Sequence, residues 1–434
     1  MRNCTIHGTS RRQWLKHVAS GAAGVMVAGH FIPSGVLAFE GKPGANDRIT
    51  VGAIGVGHRG SHLIKQLPRD GQIVALCDCN LPRAEAFKAK VGGQWPVYQD
   101  YRKMLSREDM DGVVVSTGEF QRVLPCIHAC QAGKHIYAEK PLSLYIHEGR
   151  VLVDVVRRHG CVFQVGSQQR SMAMNRVACE LIRSGGLGKV KKVLARNYPG
   201  PADSPAKPFP EEPAPAGLDW DAWLNQAAWR PFNARWLSWM RYRDFAGGGV
   251  TNWGAHGIDQ IQWALGMDGT GPVEARPLAS GRNGPVEVRY ANGVPVQFVL
   301  DRGPRGGGIF VCEQGKLEIN RNKFTSNPKD IAVELLKKVD EADEKKKWSD
   351  QTARWQAQWH MQNWIDCIRT GQRPTADVEI GHRSISVAHL VNIARQMKRR
   401  LRWDPVKEQF LGDDEANKLV DRSRRKGWEL PKTV

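Results

Sequence analysis

The sequence predicts an α/β protein: a doubly wound parallel sheet in the first half, then a larger α+β region built on an open, mainly antiparallel sheet. Three observations predict it. Between Ile49 and Gly166 short apolar runs alternate with helix-length segments; a glycine-rich turn follows the first run; and Ser280–Leu300 and Ile309–Ile319 alternate apolar with polar residues around Asn292-Gly293 and Gln314-Gly315 turns. The 434 residues are 41% hydrophobic and 25% charged, which excludes fibrous, coiled-coil and disordered chains. Nine cysteines without a CxxC or a Cys/His cluster at metal spacing suggest neither a disulfide scaffold nor a zinc ribbon, so no metal site is expected.

Residues 1–38 carry Arg2, Arg11, Arg12 and Lys16 and no acidic side chain. Ser10-Arg11-Arg12-Gln13-Trp14-Leu15-Lys16 resembles a twin-arginine export signal, with Trp at the usual Phe position. A weakly apolar run from Val18 to Ile32 and the small residues at Val36-Leu37-Ala38 complete that pattern. The run falls short of the roughly 20 residues that span a bilayer. Retention as a tether, or a merely basic N-terminus, stays open. The resemblance implies the twin-arginine machinery as a partner, a periplasmic or cell-envelope destination, folding before export without disulfides, and a cofactor loaded beforehand. Residues 39–47 read as a linker.

From Arg48 to Val165 the pattern is strand, turn, helix, strand. Ile49–Ile54 leads into Gly55-Val56-Gly57-His58-Arg59-Gly60, a helix near Ser61–Leu67, and the strand Ile73–Asp78. Gly55 permits the tight turn, Gly57 lets the backbone, continued by His58, approach a pyrophosphate, and Gly60 lets the helix sit close to the strand. Asp78 ends the second strand, where a carboxylate accepts hydrogen bonds from a ribose diol and repels a 2′-phosphate. NAD is favoured, with NADP left open by Arg59 and Arg83. A strand at Gly112–Thr117 brings Ser116 and Thr117 to the same edge; a helix near Arg122–Ala132 and the strand His135–Ala138 follow. Glu139-Lys140-Pro141 then places a lysine in the crevice where such sheets bind ligands.

Residues 166–400 form the second region and 401–434 a C-terminal tail. Seven prolines between Pro199 and Pro215 mark an extended arm. Beyond it Trp220, Trp223, Trp229, Trp236, Trp239 and Trp253 crowd together; indoles stack on sugars but also fill cores, and at least half of these are expected to be structural. The net charge of +19 gathers in Lys337–Lys347, Lys398–Arg402 and Arg422–Lys426, which read as solvated faces without a nucleic-acid module.

With the glycine loop, Asp78, Ala132-Gly133-Lys134-His135-Ile136-Tyr137-Ala138-Glu139-Lys140-Pro141-Leu142-Ser143 and Gly247-Gly248-Gly249-Val250-Thr251-Asn252-Trp253-Gly254-Ala255-His256-Gly257-Ile258-Asp259, the chain resembles the glucose-fructose oxidoreductase / inositol dehydrogenase / rhizopine-catabolism (Gfo/Idh/MocA) family from residue 48 onward. The resemblance implies a Rossmann domain, a second domain whose sheet supports homo-oligomers, and hydride transfer at a sugar or cyclitol carbon. It assigns the reaction to Lys140, His256 and Asp259. Two departures stand out. Asn252 occupies the position of an Asp in many relatives, and Thr117-Gly118-Glu119-Phe120-Gln121-Arg122 replaces a T-P-x-H-x-H pattern.

Oxidising a secondary alcohol requires a base for the hydroxyl proton while hydride leaves to nicotinamide. His256 is the expected base and Lys140 the stabiliser of the alkoxide, with Asp259 on the same helical face. Gln169, Arg170, Arg241, Tyr242, Arg243 and Trp253 are candidate substrate ligands. Outside the cytoplasm no pool exchanges NADH, so the expected enzyme is an NAD(P)-dependent sugar or cyclitol oxidoreductase with tightly bound cofactor. A redox-neutral glycosidase, passing through oxidation, elimination, hydration and reduction, is the alternative, and a non-catalytic binding protein the third.

Overall fold

A computed structural model describes residues 44, 47–207, 209–339 and 352–431. The export segment 1–38, nearly all of the linker, and positions 340–347 of the first basic cluster lie outside the described residues.

The first sheet is built from β1 (Ile49–Ile54), β2 (Gly71–Cys77), β3 (Val97–Tyr98), β4 (Gly112–Val115), β5 (His135–Ala138) and β6 (Phe163–Val165). All pairings are parallel and the order is β3-β2-β1-β4-β5-β6. Its central strands are covered on both faces, which is why Val113, Val114 and Val115 run consecutively and are all buried. The crossovers are α1 (His58–Lys65), α2 (Leu81–Val91), α3 (Tyr101–Leu105), α4 (Glu119–Gln131) and α5 (Ile146–His159). Asn80 caps α2 by accepting from the Arg83 amide at 3.1 Å, and Gly92 and Gly160 end α2 and α5 in the left-handed conformation. Both α1 and α4 begin three residues before the expected positions, because the glycine turns themselves supply the first helical turn.

After α6 (Ala173–Arg183) and β7 (Val190–Arg196) the described residues of the proline-rich arm run without a regular element to α7 (Trp220–Leu224). Then come α8 (Gly249–Asn252), α9 (Gly254–Ala264), strands β8 (Glu274–Pro277), β9 (Val286–Arg289), β10 (Pro295–Leu300), β11 (Ile309–Cys312), β12 (Lys316–Asn320) and β13 (Lys323–Asn327), and helices α10 (Asp330–Leu336), α11 (Thr352–Thr370) and α12 (Val378–Met397). With β14 (Leu401–Asp404) and β15 (Gln409–Phe410) the second sheet has the order β13-β12-β11-β7-β10-β9-β8-β14-β15. It is antiparallel except where β10 lies parallel to β7. Its inner face is an alternating set, with Val193, Val286, Val288, Val296, Phe310, Leu317 and Ile319 buried.

Two segments fall outside the expected division. The segment read as a C-terminal tail from residue 401 carries β14 and β15, which extend the second sheet. Helix α11 returns to the first half, where fully buried Trp364 joins Val51, Leu63, Val114 and Tyr137 in one apolar cluster. Buried nearly all round, polar side chains such as His382, His389, Asn392 and Arg395 included, α12 packs against both α5 and β8 and so joins the two sheets.

Candidate functional site

At the carboxyl ends of β1 and β4 the strand order reverses, and a crevice of about 660 Å³ opens there. The glycine loop forms its floor. Gly55 has φ 86°, and a Cβ there would lie 2.7 Å from the Ser116 carbonyl oxygen; at Gly60 it would lie 2.0 Å from the Gly55 carbonyl oxygen. At Gly57 a Cβ would meet no atom within 4 Å, so the backbone is bare toward the crevice. No side chain caps α1, which leaves its first-turn amides for an anion. The Asp78 carboxylate accepts from the Val56 amide and the Asn80 amide, both at 2.9 Å, and still lines the crevice with lone pairs to spare for a diol. An open backbone cradle at a bare helix start, with a buried carboxylate beside it, fits a dinucleotide.

Of the two arginines that left NADP open, Arg59 is committed elsewhere: its Nε donates to Glu139 Oε1 at 2.8 Å. Burial opposes its charge, but Glu139 and Tyr137 together outweigh burial and hold the guanidinium above its ordinary value. Arg83 is half-exposed, 3.7 Å from Asp78.

A wall covers the Asp78 end. The Leu81 amide donates to the Gly217 carbonyl at 3.0 Å and the Asp219 amide to the Cys79 carbonyl at 2.8 Å, tying the segment before α7 across the loop after β2. The last residues of the chain brace it. Arg425 donates to the Asn225 carbonyl at 2.8 Å and Trp428 to the Asp221 carboxylate at 3.1 Å; Trp223, Asn225 and Trp428 face the crevice.

At the other end Lys140, Asn252, Trp253 and His256 converge. Lys140 Nζ donates to the Asn252 carbonyl at 2.9 Å and to Asn252 Oδ1 at 3.0 Å. It lines the crevice, and burial lowers its pKa to about 8. His256 is held well below the usual imidazole range, by burial first and then by Lys140, Arg321 and Arg59. Among the described residues the ring meets no hydrogen-bond partner. A neutral imidazole surrounded by cations is a poor proton acceptor, so the electrostatics favour Lys140 as base and leave His256 to orient the hydroxyl.

Asp259 is not in the crevice. Three residues after His256 it is rotated about 60° from it around α9, into the layer against Arg170, whose Nε lies 2.9 Å from its carboxylate. Arg170 also binds Asp268 at 2.7 Å, so it is a structural ion pair and not a substrate ligand. Gln169 is buried and accepts from Asn175. Tyr242 packs on Trp236 in an aromatic cluster, Arg241 is exposed, and Arg243 pairs with Asp203 at 2.8 Å. None of these five lines the crevice. Of the six tryptophans, Trp220, Trp223 and Trp236 are buried, Trp229 and Trp253 are exposed, and Trp223, Trp239 and Trp253 touch the crevice.

Glu119 and Arg321 were not singled out in the sequence. Glu119, fully enclosed, accepts from the Gly247 amide at 2.9 Å and from Thr251 Oγ1 at 3.0 Å, gripping the glycine turn and α8 that carries Asn252. Burial raises its pKa to about 7 against the pull of those donors. Arg321, in the β12–β13 turn, reaches the crevice beside Trp253. The departure from the T-P-x-H-x-H pattern was the one sequence signal for Glu119; Arg321 has none, since the topology alone brings its turn here.

Two family models match the chain. The NAD-binding Rossmann fold of the Gfo/Idh/MocA oxidoreductase family matches residues 49–167, and that family's C-terminal alpha/beta domain matches residues 204–430. A glycosyl hydrolase family 109 protein of Shewanella sp. (strain W3-18-1) is 32% identical over 174 residues, which are 35% of this chain and 38% of that protein. An alpha-N-acetylgalactosaminidase of Shewanella oneidensis is 29% identical over the same length, 38% of that protein. The chain thus matches well under half the length of these curated relatives. The WlbA dehydrogenase of Bordetella pertussis, in complex with NADH and UDP-GlcNAcA, superimposes with a TM-score of 0.60 at 18% identity, over 83% of this chain and 99% of that one. Scyllo-inositol dehydrogenase of Lactobacillus casei, with NAD(H) and scyllo-inositol, gives 0.55 at 16%, over 82% and 99%. At these identities the likeness is one of fold.

Proposed function

Because this chain belongs to the Gfo/Idh/MocA oxidoreductase family and has its NAD-binding Rossmann domain, we propose that it oxidises and reduces a ring secondary hydroxyl of a sugar or cyclitol with a retained NAD. The observation that carries this reading is the Lys140 amine, held by both oxygens of Asn252 beside a neutral His256, at the far end of a dinucleotide-shaped crevice. NAD, when bound on the glycine loop and Asp78, supplies the hydride acceptor.

The protein's own work is proton transfer and orientation. Deprotonated Lys140 spends two N–H bonds on Asn252 and aims its lone pair at the substrate hydroxyl. The proton moves from that hydroxyl to Nζ as the C–H hydride leaves, and in the reverse direction Nζ returns it. His256 hydrogen-bonds the same oxygen, and Glu119 keeps Asn252 in place through Thr251 and Gly247. The wall of Trp223 and Trp428 over the Asp78 end supports retention of the cofactor between turnovers.

The match to glycosyl hydrolase family 109 proteins supports a second reading, in which the ketone formed at the ring carbon acidifies the neighbouring C–H, the glycosidic group is eliminated, water adds, and the ketone is reduced again. Export by the twin-arginine route suits either reading, since a retained cofactor needs no external pool; the eight cysteines of the described residues are all free thiols, which suits folding before export. The outer face of the second sheet, with Leu194, Val299, Ile309 and Val311 half-buried among charges, is the proposed surface for pairing with a second copy.

Mass analysis of the small molecule released on denaturing the purified protein should give NAD, and a sugar and cyclitol screen should change the reduced-nicotinamide absorbance. Release of a chromogenic aglycone with no net NADH selects the glycosidase. Protein that neither releases nor is stabilised by a dinucleotide would be a non-catalytic binder, and both enzymatic readings would fall.

A further inference from the structure

We propose that the substrate is not a lone ring but carries a second sugar ring, joined glycosidically to the reacting one and held on a platform of Trp239, Met240 and Trp253; this rests on the crevice being the sugar or cyclitol site described above. Asn252 marks the boundary between the two positions. Its Oδ1 accepts from Lys140 Nζ at 3.0 Å, while its Nδ2 donates to Met240 Sδ at 3.5 Å. Met240 thus lies one amide group beyond the amine that serves the reacting hydroxyl. Trp253, the next residue, has its ring centre 6.2 Å from that of His256. Trp239, Met240 and Trp253 all line the crevice. Met240 is 54% exposed and Trp253 40%, and of the large apolar side chains exposed among the described residues these are the two that face the crevice. An exposed apolar patch at the edge of a binding crevice marks surface that a ligand covers.

The platform stands on a fixed support. The turn that carries Trp239 and Met240 is tied to the proline-rich arm from both sides: the Ala202 amide donates to the Arg241 carbonyl at 2.9 Å, and the Arg243 amide to the Ala202 carbonyl at 2.8 Å. Trp239 packs on Phe120 with ring centres 6.0 Å apart, and Phe120 on Phe245 at 4.8 Å, inside the aromatic cluster that also buries Trp220, Trp223 and Trp236. Trp253 stands at the junction of α8 and α9, with the Arg321 guanidinium carbon 5.7 Å from its ring centre. The arm and the tryptophan-rich stretch take no part in hydride transfer, yet together they present a preformed apolar surface beside it. Indole and thioether surfaces suit the C–H face of a pyranose. Exposed Ser238 and Arg241 flank Trp239 and Met240 in the chain and interrupt the apolar surface, which suits a ring edged with hydroxyls and not a continuous hydrocarbon chain.

The test uses the purified protein with its own cofactor. Glucose, galactose and N-acetylglucosamine are compared with cellobiose, lactose and chitobiose, which carry the same sugars at the non-reducing end, and with the matching octyl glycosides, by calorimetric binding, nicotinamide absorbance and release of monosaccharide. We expect at least one disaccharide to bind about 10-fold tighter than both its monosaccharide and its octyl glycoside. Trp253→Ala and Met240→Ala should each collapse that ratio toward one, chiefly in KM, with partial rescue by Trp253→Phe. Because the ratio is the readout, any effect of a variant on Lys140 through Asn252 cancels, and cofactor retention verifies the fold. Monosaccharides or octyl glycosides that bind as well as the disaccharides, or a loss in the variants equal for one ring and for two, overturn the inference while leaving hydride transfer intact. Disaccharide-selective binding that needs Trp253 and Met240, with neither a nicotinamide change nor cleavage, overturns the hydride reading and leaves the platform standing. Binding by no member of the series overturns both.

Discussion

Lys140 donates to one residue twice, to its backbone and its side-chain oxygen, and the identity of that residue sets how readily the amine deprotonates. Asn252 offers two oxygens without a charge. Burial can then lower the amine to about 8, where an aspartate would hold it protonated. The replacement of the family's Asp thus suits a lysine base and leaves no carboxylate to hold a histidinium. Oxidation should accordingly speed up as pH rises through about 8, because the base must be deprotonated. Asn252→Asp should move that limb upward by about one unit or more. Lys140→Met should abolish the limb and lower kcat by roughly 10²- to 10⁴-fold while NAD stays bound. A limb that stays in place in Lys140→Met would transfer the role of base to another group.

At the scale of elements, short pieces do the positioning. One-turn α8 is gripped by Glu119 at Thr251 and at Gly247 just before it, and holds Lys140 through Asn252, so at the site the two halves of the molecule meet through this short helix. At the opposite end α7 depends on the chain's last segment: Arg425 binds the carbonyls of Asp221 and Asn225, and Arg422 anchors that segment on buried Glu148 at 2.7 Å. Arg425→Ala removes the arginine's bonds from the brace without touching the glycine loop. We expect faster cofactor loss, about 10-fold or more for the roughly 1.5–3 kcal/mol of hydrogen bonds to a charged group, seen as NAD missing after gel filtration. Retention equal to wild type would mean that the wall plays no part in holding the cofactor. Strand and helix periodicity made β1, β2, β4, β5 and β6 legible in the sequence but not the two-residue edge strand β3, and Asn292-Gly293 and Gln314-Gly315 marked hairpins that are present. Neither the return of α11 to the first sheet nor the brace from residues 422–428 was legible, because both depend on burial against distant segments and not on local pattern.

Across the whole molecule, the parts of the site that could be read from the sequence were those written in contiguous motifs: the glycine loop, Asp78, Lys140, and the Asn252–His256 run. Arg321, Trp428 and the loss of Asp259 to Arg170 could not be read, since each is decided by which remote segments the two sheets bring together. The same long-range joints govern stability against acid. His360 on α11 hydrogen-bonds the Val165 carbonyl at 2.8 Å, and His389 on α12 the Ser143 carbonyl at 3.2 Å; burial lowers each to about 4. Between about 6.5 and 4 the unfolded chain binds these protons and the folded one does not, so stability present above pH 6.5 is lost as pH falls through that window. Glu408 adds to the loss lower down: burial opposes ionisation, yet His382 and Arg150 hold its carboxyl at about 2, and that contribution disappears as pH falls from 4.5 to 2. Glu119, at about 7, runs the other way, its folded form being relieved on protonation, as does buried Asp259, whereas His256 and His128, lowered first by burial, add to the loss. At about 1.4 kcal/mol per unit, each of His360 and His389 is worth about 3 kcal/mol by the bottom of its window. The urea midpoint should therefore fall steeply between pH 6.5 and 4.5, with NAD released in the same range, as the contacts of α11 and α12 with the first half give way. His389→Gln should lower the midpoint at pH 7 and flatten the slope by its share; an unchanged slope would show that His389 already carries its proton in the folded protein.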